Sequence, residues 1–415
     1  MINFSYKKDN NVFLKIISIF CACLVPLLVT GPFLPDLLLT ILSLWFLYYS
    51  LRKKIYNIFR NSYFYVFIGF WLVCILSSLL SEEILFSLKS SFFYIRIAIF
   101  ALLISYLIDL NKKILDYFYY ALLITFFVLI IDGYFQYFSG FNILGYPMFP
   151  GRVSSFFKDK LILGSYLVRL FPLLFALFVI RPNKHLFEKS GMFILFILVD
   201  ILIFLSGERA SFLFLNLSTI FIICFISQYK LARLLVLICA YFLITFITLN
   251  DKQIYDRYIT SVNQNLYFGK SDSSLNIFSP AHDSFARTAW NMFLDKPILG
   301  HGPNLFRIKC SNPLYAEGSS PCNTHPHNFY VQLLAETGIA GFSFLAGLFL
   351  FFIYLMIKYI FEYLIYKKNF LSDYQICLLS GLLITLWPIT TNGNIFNNHL
   401  MMLYGLQIGF FRKKI

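Results

Sequence analysis

The sequence predicts an all-α polytopic integral membrane protein with about twelve transmembrane helices and one long outer loop before the tenth. Three observations predict this class. Of 415 residues, 59% are hydrophobic, 20% aromatic and only 13% charged, unlike a water-soluble domain. Apolar runs of about 20 residues, the helix length that crosses a hydrocarbon core, recur along the chain. Because backbone groups in lipid must be hydrogen bonded internally, these runs are predicted to be helices.

The predicted spans are joined by short connections, except between the ninth and the tenth. In chain order they cover Val12–Thr30, Phe33–Ser50, Tyr63–Leu80, Ser91–Ile108, Leu115–Phe138, Leu161–Ile180, Met192–Ser206, Ser211–Ser227, Leu231–Leu249, Gly338–Tyr366, Leu371–Ile389 and Asn398–Phe411. The first follows Lys7 and Lys8 as a signal peptide would. Its apolar run is long, lacks a clear small-residue cleavage site and leads into a second span, so we interpret it as a retained anchor.

The net charge of +14 comes from lysine and arginine that cluster in every second connection. The residues in these connections and at the chain end are Arg52, Lys53, Lys54, Arg60, Lys112, Lys113, Arg181, Lys184, Lys189, Lys230, Arg233, Lys367, Lys368, Arg412, Lys413 and Lys414. By the positive-inside rule these connections and both termini are predicted to be cytoplasmic. The positive charge therefore reflects topology, and no nucleic-acid partner is expected.

Basic residues on the opposite, outer side need another explanation, because membrane insertion does not require them. They are Arg152, Lys158 and Lys160 after span 5, Arg209 after span 7, and several in the long segment after span 9, including Arg287. Guanidinium groups gathered at one face suit a bidentate hold on phosphate oxygens.

Two further arginines, Arg96 and Arg169, lie inside predicted spans. An arginine there costs about 2.5–3.5 kcal/mol on insertion scales, so it should face the bundle interior or water. The structural interpretation is that the side chain snorkels to the interface or pairs with an intramembrane acid such as Asp132 or Asp200. We favour that interpretation for Arg96 and leave Arg169 open between structure and substrate binding.

The outer segment divides the chain into residues 1–249 with nine spans, residues 250–337 as the outer loop, and residues 338–415 with three spans. Only two of the eight cysteines, Cys310 and Cys322, lie in this loop. On an oxidising outer face a disulfide between them is predicted. The alternative is a zinc site of Cys322, His325 and His327 with Cys310 or His301. That pattern lacks a second well-spaced ligand pair, and a disulfide would consume both thiolates.

The stretch CNTHPHN ends the outer loop and precedes FYVQLLAETG, which predicts a short amphipathic helix that begins at Asn328 and ends at Gly338. His327 then lies at the helix N-terminus. The positive end of a helix favours a nearby anion and disfavours imidazolium, so His327 is predicted to be neutral and able to take a proton. The structural alternative is that His327 only joins a turn to the helix. Together with the outer arginines, a neutral histidine predicts a site for a lipid-linked phosphate donor.

The segment HNFYVQLLAETGIAG resembles the His-Asn-x9-Gly-x-x-Gly pattern of the bacterial O-antigen ligase and polymerase superfamily, and is most similar to the ligases. His327, Asn328, Gly338 and Gly341 meet this pattern. Two weaker similarities are SGERASF, which contains Arg209, and the Arg-x2-Trp segment leading to GHGPNLF. The span count and the long outer loop before the motif are also similar.

This resemblance implies a glycosyltransferase C-like fold and transfer of a glycan from undecaprenyl diphosphate to a hydroxyl of lipid A-core, at the periplasmic face of the bacterial inner membrane. It implies an inverting enzyme that uses no metal or other cofactor. By analogy His327 would be the general base, and Arg209 and Arg287 would hold the diphosphate. The residues expected to add substrate contacts are Arg152, Lys158, Arg169 and Asn328.

Other functions remain open. Polymerases, which extend the lipid-linked glycan, and periplasmic protein O-oligosaccharyltransferases carry similar motifs. A lipid-linked glycan transporter is the non-enzymatic alternative, in which the arginines would bind an anion without chemistry. No pair of spans shows the Gly/Pro-broken pattern of an alternating-access core, so we prefer a transferase, and a ligase within that class.

Overall fold

The computed structural model describes residues 12–182, 184–263, 279–367 and 369–411. The helices of eight or more residues are α1 (Val12–Thr30), α2 (Phe33–Arg52), α3 (Ser62–Leu79), α4 (Ile84–Ser91), α5 (Ile95–Leu110), α6 (Lys113–Ser139), α7 (Leu163–Ile180), α8 (Leu186–Leu205), α9 (Arg209–Phe225), α10 (Lys230–Asn250), α11 (Pro280–Asp295), α12 (Phe329–Tyr366), α13 (Asp373–Leu386) and α14 (Asn398–Phe411). Within these ranges β-structure is limited to two isolated bridges, both between α6 and α7. The all-α class is therefore confirmed.

Each of the twelve predicted spans overlaps one or more of these helices. Eight stretches are long and apolar enough to cross a membrane, by length and composition: α1, α2, α3, Ile84–Leu110, α6, α7, α10 and α12. Helices α9 and α13 are apolar but shorter, α8 carries charges near its start, and α14 has 14 residues. The polytopic class is confirmed, while the total of twelve stays a prediction.

The fourth span begins earlier than predicted, since helix α4 precedes Ser91 and a 3₁₀ turn, Phe92–Tyr94, joins it to α5. The reason is a buried serine cluster. Ser78 Oγ on α3 lies 2.9 Å from Ser87 Oγ and 2.8 Å from Ser91 Oγ. These hydrogen bonds hold one face of α4 against α3, while Leu85 on its other face is exposed. The polar stretch before span 4 is therefore a helix and not a plain connection.

Helix α7 lies at the centre of the bundle, where 89% of its residues are buried, against 17% for the apolar window of α12. Helix α7 packs against α6, α8, α9 and α13. At its N-terminus the amides of Gly164 and Ser165 donate to Glu208, which joins the start of α7 to the α8–α9 connection.

Two arginines inside the bundle are paired with carboxylates, which offsets the cost of burying their charge. Arg233 donates to both oxygens of Asp200 at 2.6 and 3.1 Å, and neither side chain is more than 1% exposed. Arg96 pairs with Asp36 at 2.6 Å. Arg96 therefore pairs with an acid, as expected, but the acid is Asp36 at the start of α2 and not Asp132 or Asp200.

Contacts between the connections separate into two sets. One face of the protein, which we call the site face, carries Arg152 and His327. On this face four connections contact one another or the segment before α12, namely α6–α7, α8–α9, α10–α11 and α13–α14. On the opposite face Arg181 contacts Asp116, and Asp373 accepts hydrogen bonds from the α9–α10 connection. This separation agrees with the alternation of basic residues. The assignment of the opposite face to the cytoplasm stays a prediction, and Lys7, Lys8, Lys368, Arg412, Lys413 and Lys414 lie outside the described residues.

Candidate active site

The α8–α9 connection is a tight turn around Gly207. Gly207 has φ +67°, and a Cβ there would lie 2.6 Å from Arg152 Cγ and 2.7 Å from the Gly151 carbonyl oxygen. Only glycine combines this backbone conformation with such close packing. The absence of a side chain lets the α6–α7 connection lie directly on the turn, so that Arg152 reaches the start of α9, where Arg209 is the first residue.

Three arginines surround this turn, and we call Arg152, Arg209 and Arg257 the arginine cluster. Arg152 Nε donates to the Ser206 carbonyl at 3.5 Å, and Arg257 Nε donates to the Gly207 carbonyl at 2.9 Å. Arg209 Nε is buried with no hydrogen-bond partner. Among the described residues, no ion pair includes any of the three. Guanidinium groups that lie together without a carboxylate favour an anion between them.

Glu208 is the acid nearest to the arginine cluster, yet its oxygens are used elsewhere. They accept hydrogen bonds from Gly164 N at 2.7 Å, Ser165 N at 3.2 Å and Ser211 Oγ at 3.1 Å. Burial raises the pKa of Glu208, and these hydrogen bonds oppose the shift. Glu208 therefore satisfies the free amides at the N-terminus of α7 and fixes the α8–α9 turn to the central helix.

Arg169 is 3% exposed, one turn into α7 from Ser165. Its Nε donates to the Tyr404 hydroxyl at 3.1 Å and its Nη1 to the Ser165 carbonyl at 3.1 Å. The Tyr404 ring lies 6.1 Å from the ring of Phe329, the first residue of α12. Arg169 thus links the central helix to the segment that contains His327. These contacts are internal, so substrate binding by Arg169 stays a proposal.

His327 is surrounded by other rings. Its ring centroid lies 4.0 Å from that of His325, 5.2 Å from that of His282 and 5.6 Å from that of Phe285. The backbone of His327 has φ +60°, and its carbonyl accepts a hydrogen bond from Asn392 N at 2.6 Å. Within the described part of the chain the imidazole has no hydrogen-bond partner, so both ring nitrogens are available to a substrate.

Asn328 caps helix α12, as the sequence predicted. Its Oδ1 accepts from Tyr330 N at 3.0 Å and Val331 N at 3.2 Å, while its Nδ2 donates to the Pro388 carbonyl at 2.7 Å. The predicted helix end is also confirmed, because Gly338 interrupts α12 with φ +63° and ψ −164°. These bonds show that Asn328 holds the helix start in place beside His327, and direct substrate binding by its amide stays a proposal.

Burial lowers the pKa of His325 to about 3 and that of His327 to about 4. The neighbouring imidazoles act in the same direction, since His327 lowers the pKa of His325 and His282 lowers that of His327. Both rings are therefore neutral near pH 7, as the sequence predicted for His327 from its helix start, although the larger cause is burial.

Acidification is expected to destabilise the protein through these two rings. Their folded-state pKa values lie below the ordinary value of 6.5, so the unfolded chain binds more protons between about pH 6.5 and pH 3. The stabilisation is complete above pH 6.5 and is lost as the pH falls through 4 for His327 and toward 3 for His325. Thermal unfolding of the detergent-purified protein over this range measures the effect. The double variant His325→Asn/His327→Asn should lose less stability on acidification, and an equally steep loss would contradict the assignment.

Cys310 and Cys322 form a disulfide with a Cα–Cα distance of 5.1 Å. Both thiolates of the alternative zinc site are therefore used. His301 is buried, with Nε2 3.0 Å from the Met292 carbonyl oxygen, so it packs the outer segment against α11. In the part of the chain that the structure describes, no group of three His, Cys, Asp or Glu side chains is arranged to hold a metal.

Arg287 lies on α11, the helix that brings His282 and Phe285 to His327, but on its exposed side. Its Nε donates to Asp283 at 2.8 Å and its Nη1 to Glu317 at 3.3 Å. It lines a shallow depression on the surface. Among the described residues Nη2 has no hydrogen-bond partner and the side chain is 58% exposed, so Nη2 remains for the predicted diphosphate contact.

The remaining predicted substrate contact, Lys158, lies on the α6–α7 connection that also carries Arg152. Its Nζ lies 4.8 Å from the centroid of the Tyr146 ring. The sequence contains no motif at Arg257, so the third member of the arginine cluster was not predicted. The only available signal was a basic residue on a predicted outer segment, which several other positions share.

The fold and site define a multi-pass helical membrane protein with an arginine cluster and a histidine on the same face. Residues 192–346 match the family model described as O-antigen ligase. The match begins within α8, ends within α12 and includes Arg209, Arg287 and His327. It confirms, over these residues, the resemblance to the O-antigen ligase superfamily. No curated protein matches the chain.

Proposed function

We propose that this protein is a membrane glycosyltransferase that transfers an undecaprenyl-diphosphate-linked glycan to a hydroxyl of lipid A-core. The observation that supports this most is the arginine cluster without carboxylate partners on the face that also carries a neutral histidine. The family match supports ligase-like glycan transfer in general. The diphosphate donor, the lipid A-core acceptor and the periplasmic face of the inner membrane are our proposals.

In the proposed reaction the acceptor hydroxyl gives its proton to His327 and its oxygen bonds to the anomeric carbon of the glycan. The bond from that carbon to the diphosphate oxygen breaks, and undecaprenyl diphosphate leaves with one additional negative charge. Attack from the side opposite the leaving group inverts the anomeric configuration. The neutral state of His327 suits proton transfer, and the guanidinium groups stabilise the charge that develops on the leaving diphosphate.

The other predicted residues have proposed roles consistent with their contacts. Arg152 and Arg209 hold the diphosphate, and Lys158 contacts the glycan or the lipid phosphate from the α6–α7 connection. Arg287 contacts the diphosphate through Nη2, which its two carboxylate partners leave unused. Arg169 and Asn328 contact the substrate as well as the groups that they position.

The proposed topology places residues 250–337 outside the membrane, between nine spans in residues 1–249 and three in residues 338–415. Both termini would be cytoplasmic. This orientation puts the arginine cluster and His327 in the compartment where a lipid-linked glycan would be presented for transfer.

The test replaces Arg209 with glutamine in a strain that lacks the native protein. We expect loss of glycan attachment to lipid A-core, with a transfer rate lower by roughly 10²–10³-fold, because the variant removes one preorganised group that stabilises the leaving charge. Lipopolysaccharide gels and a transfer assay of the purified protein measure this. The matched control is Arg181→Gln on the opposite face, where Arg181 pairs with Asp116; it should retain transfer.

The gel of a deletion strain also separates the candidate functions. A strain without the ligase lacks all O-antigen on the core and accumulates lipid-linked polymer, whereas a strain without the polymerase keeps core that carries one repeat unit. An unchanged gel would contradict both assignments.

A further inference from the structure

Directly after α10 the chain forms a short helical turn, Lys252–Tyr255, and then a π-helical turn, Asp256–Thr260. Such π turns are rare and occur often at functional sites. Two adjacent residues of this π turn contact the α8–α9 region. Arg257 Nε donates to the Gly207 carbonyl at 2.9 Å, and the Tyr258 hydroxyl donates to the Phe204 carbonyl at 2.7 Å.

The π geometry explains how both neighbours reach the same element. Adjacent side chains of an α-helix point about 100° apart, because the helix has 3.6 residues per turn. A wider turn reduces this angle. The Tyr258 ring stacks on that of Phe204 at 4.1 Å, which fixes the turn in place and leaves Arg257 over Gly207.

The guanidinium of Arg257 is only partly used by the protein. Nε is bonded to Gly207, and in the described ranges Nη1 and Nη2 have no hydrogen-bond partner. The neighbouring Asp256 forms no ion pair with it among the described residues, and its Oδ1 accepts from Thr260 Oγ1 at 3.0 Å. Burial lowers the pKa of Arg257 most, and the nearby cations Arg152 and Arg209 lower it further, while Tyr258 and Glu208 oppose the shift. A half-buried cation beside two others is therefore held where an anion would stabilise all three.

We propose that Arg257 is a third phosphate-contacting arginine and that it gives the site its preference for a lipid diphosphate over a lipid monophosphate. This inference rests on the proposed function, in which the arginine cluster holds the donor. A monophosphate link between lipid and glycan offers two non-bridging oxygens and a diphosphate link four; the corresponding free lipids, undecaprenyl monophosphate and diphosphate, offer three and five. Three guanidinium groups, each able to donate two hydrogen bonds, match the larger group.

The competing explanation is that Arg257 only fastens the end of α10 to the α8–α9 turn. A fastening residue would affect stability and would affect the binding of both lipids equally. The ratio of the two affinities therefore separates ligand contact from fastening.

The experiment measures binding of undecaprenyl diphosphate and of undecaprenyl monophosphate to the full-length protein in detergent. Arg257→Gln should weaken diphosphate binding by roughly tenfold or more, the effect of losing a charged hydrogen bond, and monophosphate binding by less than about threefold. Lys252→Gln is the matched control, because it removes one positive charge from an exposed residue of the adjoining turn. It should leave both affinities unchanged.

Equal weakening for both lipids, or no weakening for the diphosphate, would overturn the inference. If Arg257→Gln fails to fold, Arg257→Lys replaces it, because lysine keeps the charge and removes the two-nitrogen fork. This variant should still reduce the preference for diphosphate over monophosphate. A preference equal to that of the wild type would contradict the inference. Arg209→Gln distinguishes failure of the proposed function from failure of the role proposed for Arg257. If neither variant weakens diphosphate binding, the proposed function fails, and if only Arg209→Gln does, the role of Arg257 alone fails.

Discussion

The His327→Asn protein is expected to fold, reach the membrane and bind lipid diphosphate, but to transfer glycan about 10²–10⁴-fold more slowly, the usual contribution of a general base. Asparagine is a more specific substitution here than alanine, because it disturbs the backbone less. The backbone of residue 327 has φ +60°, a conformation that asparagine tolerates better than most residues. The variant therefore removes the imidazole and retains the chain path into helix α12.

Transfer by the purified variant, compared with its binding of undecaprenyl diphosphate, gives the measurement. His185→Asn is the control: this exposed histidine precedes α8 at the opposite end of the bundle from the α8–α9 turn. Normal transfer by His327→Asn would exclude the role of base. Loss of binding together with transfer would instead assign His327 to donor binding or to folding.

The Gly338→Ala protein is expected to be severely destabilised, by on the order of 3–5 kcal/mol. Gly338 adopts φ +63° and ψ −164°, a region open essentially to glycine alone. A Cβ there would also lie 2.4 Å from the carbonyl carbon and oxygen of Ile298. The two backbones touch at this point, because Ile339 N and Ala340 N donate to the carbonyls of Pro297 and Ile298. A methyl group would force the outer segment away from α12.

The matched control is Gly347→Ala in the same helix, where a Cβ would meet nothing within 4 Å. That change should be neutral or stabilising by about 0.5–1 kcal/mol, because alanine suits a helix interior better than glycine. Thermal unfolding in detergent and the yield of monodisperse protein compare the two variants. Similar stability of both would show that the contact at Ile298 is unimportant.

The sequence predicted the parts of the structure that follow from local rules. Apolar runs predicted the helices because lipid leaves the backbone no other partner. Asn328 and Gly338 were predicted as the start and the break of a helix because capping amides and positive φ have known residue preferences. The disulfide between Cys310 and Cys322 was expected because they are the only cysteines of the outer segment.

Features that depend on tertiary contact were not predictable in the same way. The pairing of Arg287 with Asp283 is visible at i, i+4 spacing, but the approach of Glu317 depends on the fold of the outer segment. Helix α4 forms where Ser78 meets Ser87 and Ser91, three serines that the sequence gives no reason to join. Arg257 reaches Gly207 through a π turn, for which no sequence signal is known to us.

The burial of α12 changes along its length. Its first turns, which include Phe329, Leu333 and Glu336, are buried, whereas only 17% of its apolar window is buried. Glu208 ties the arginine cluster to α7, and Arg169 of α7 reaches the start of α12 through Tyr404. The proposed donor site and the proposed base are therefore anchored to the same central helix. Evolution or engineering has more freedom to vary the C-terminal part of α12 than either part of the site.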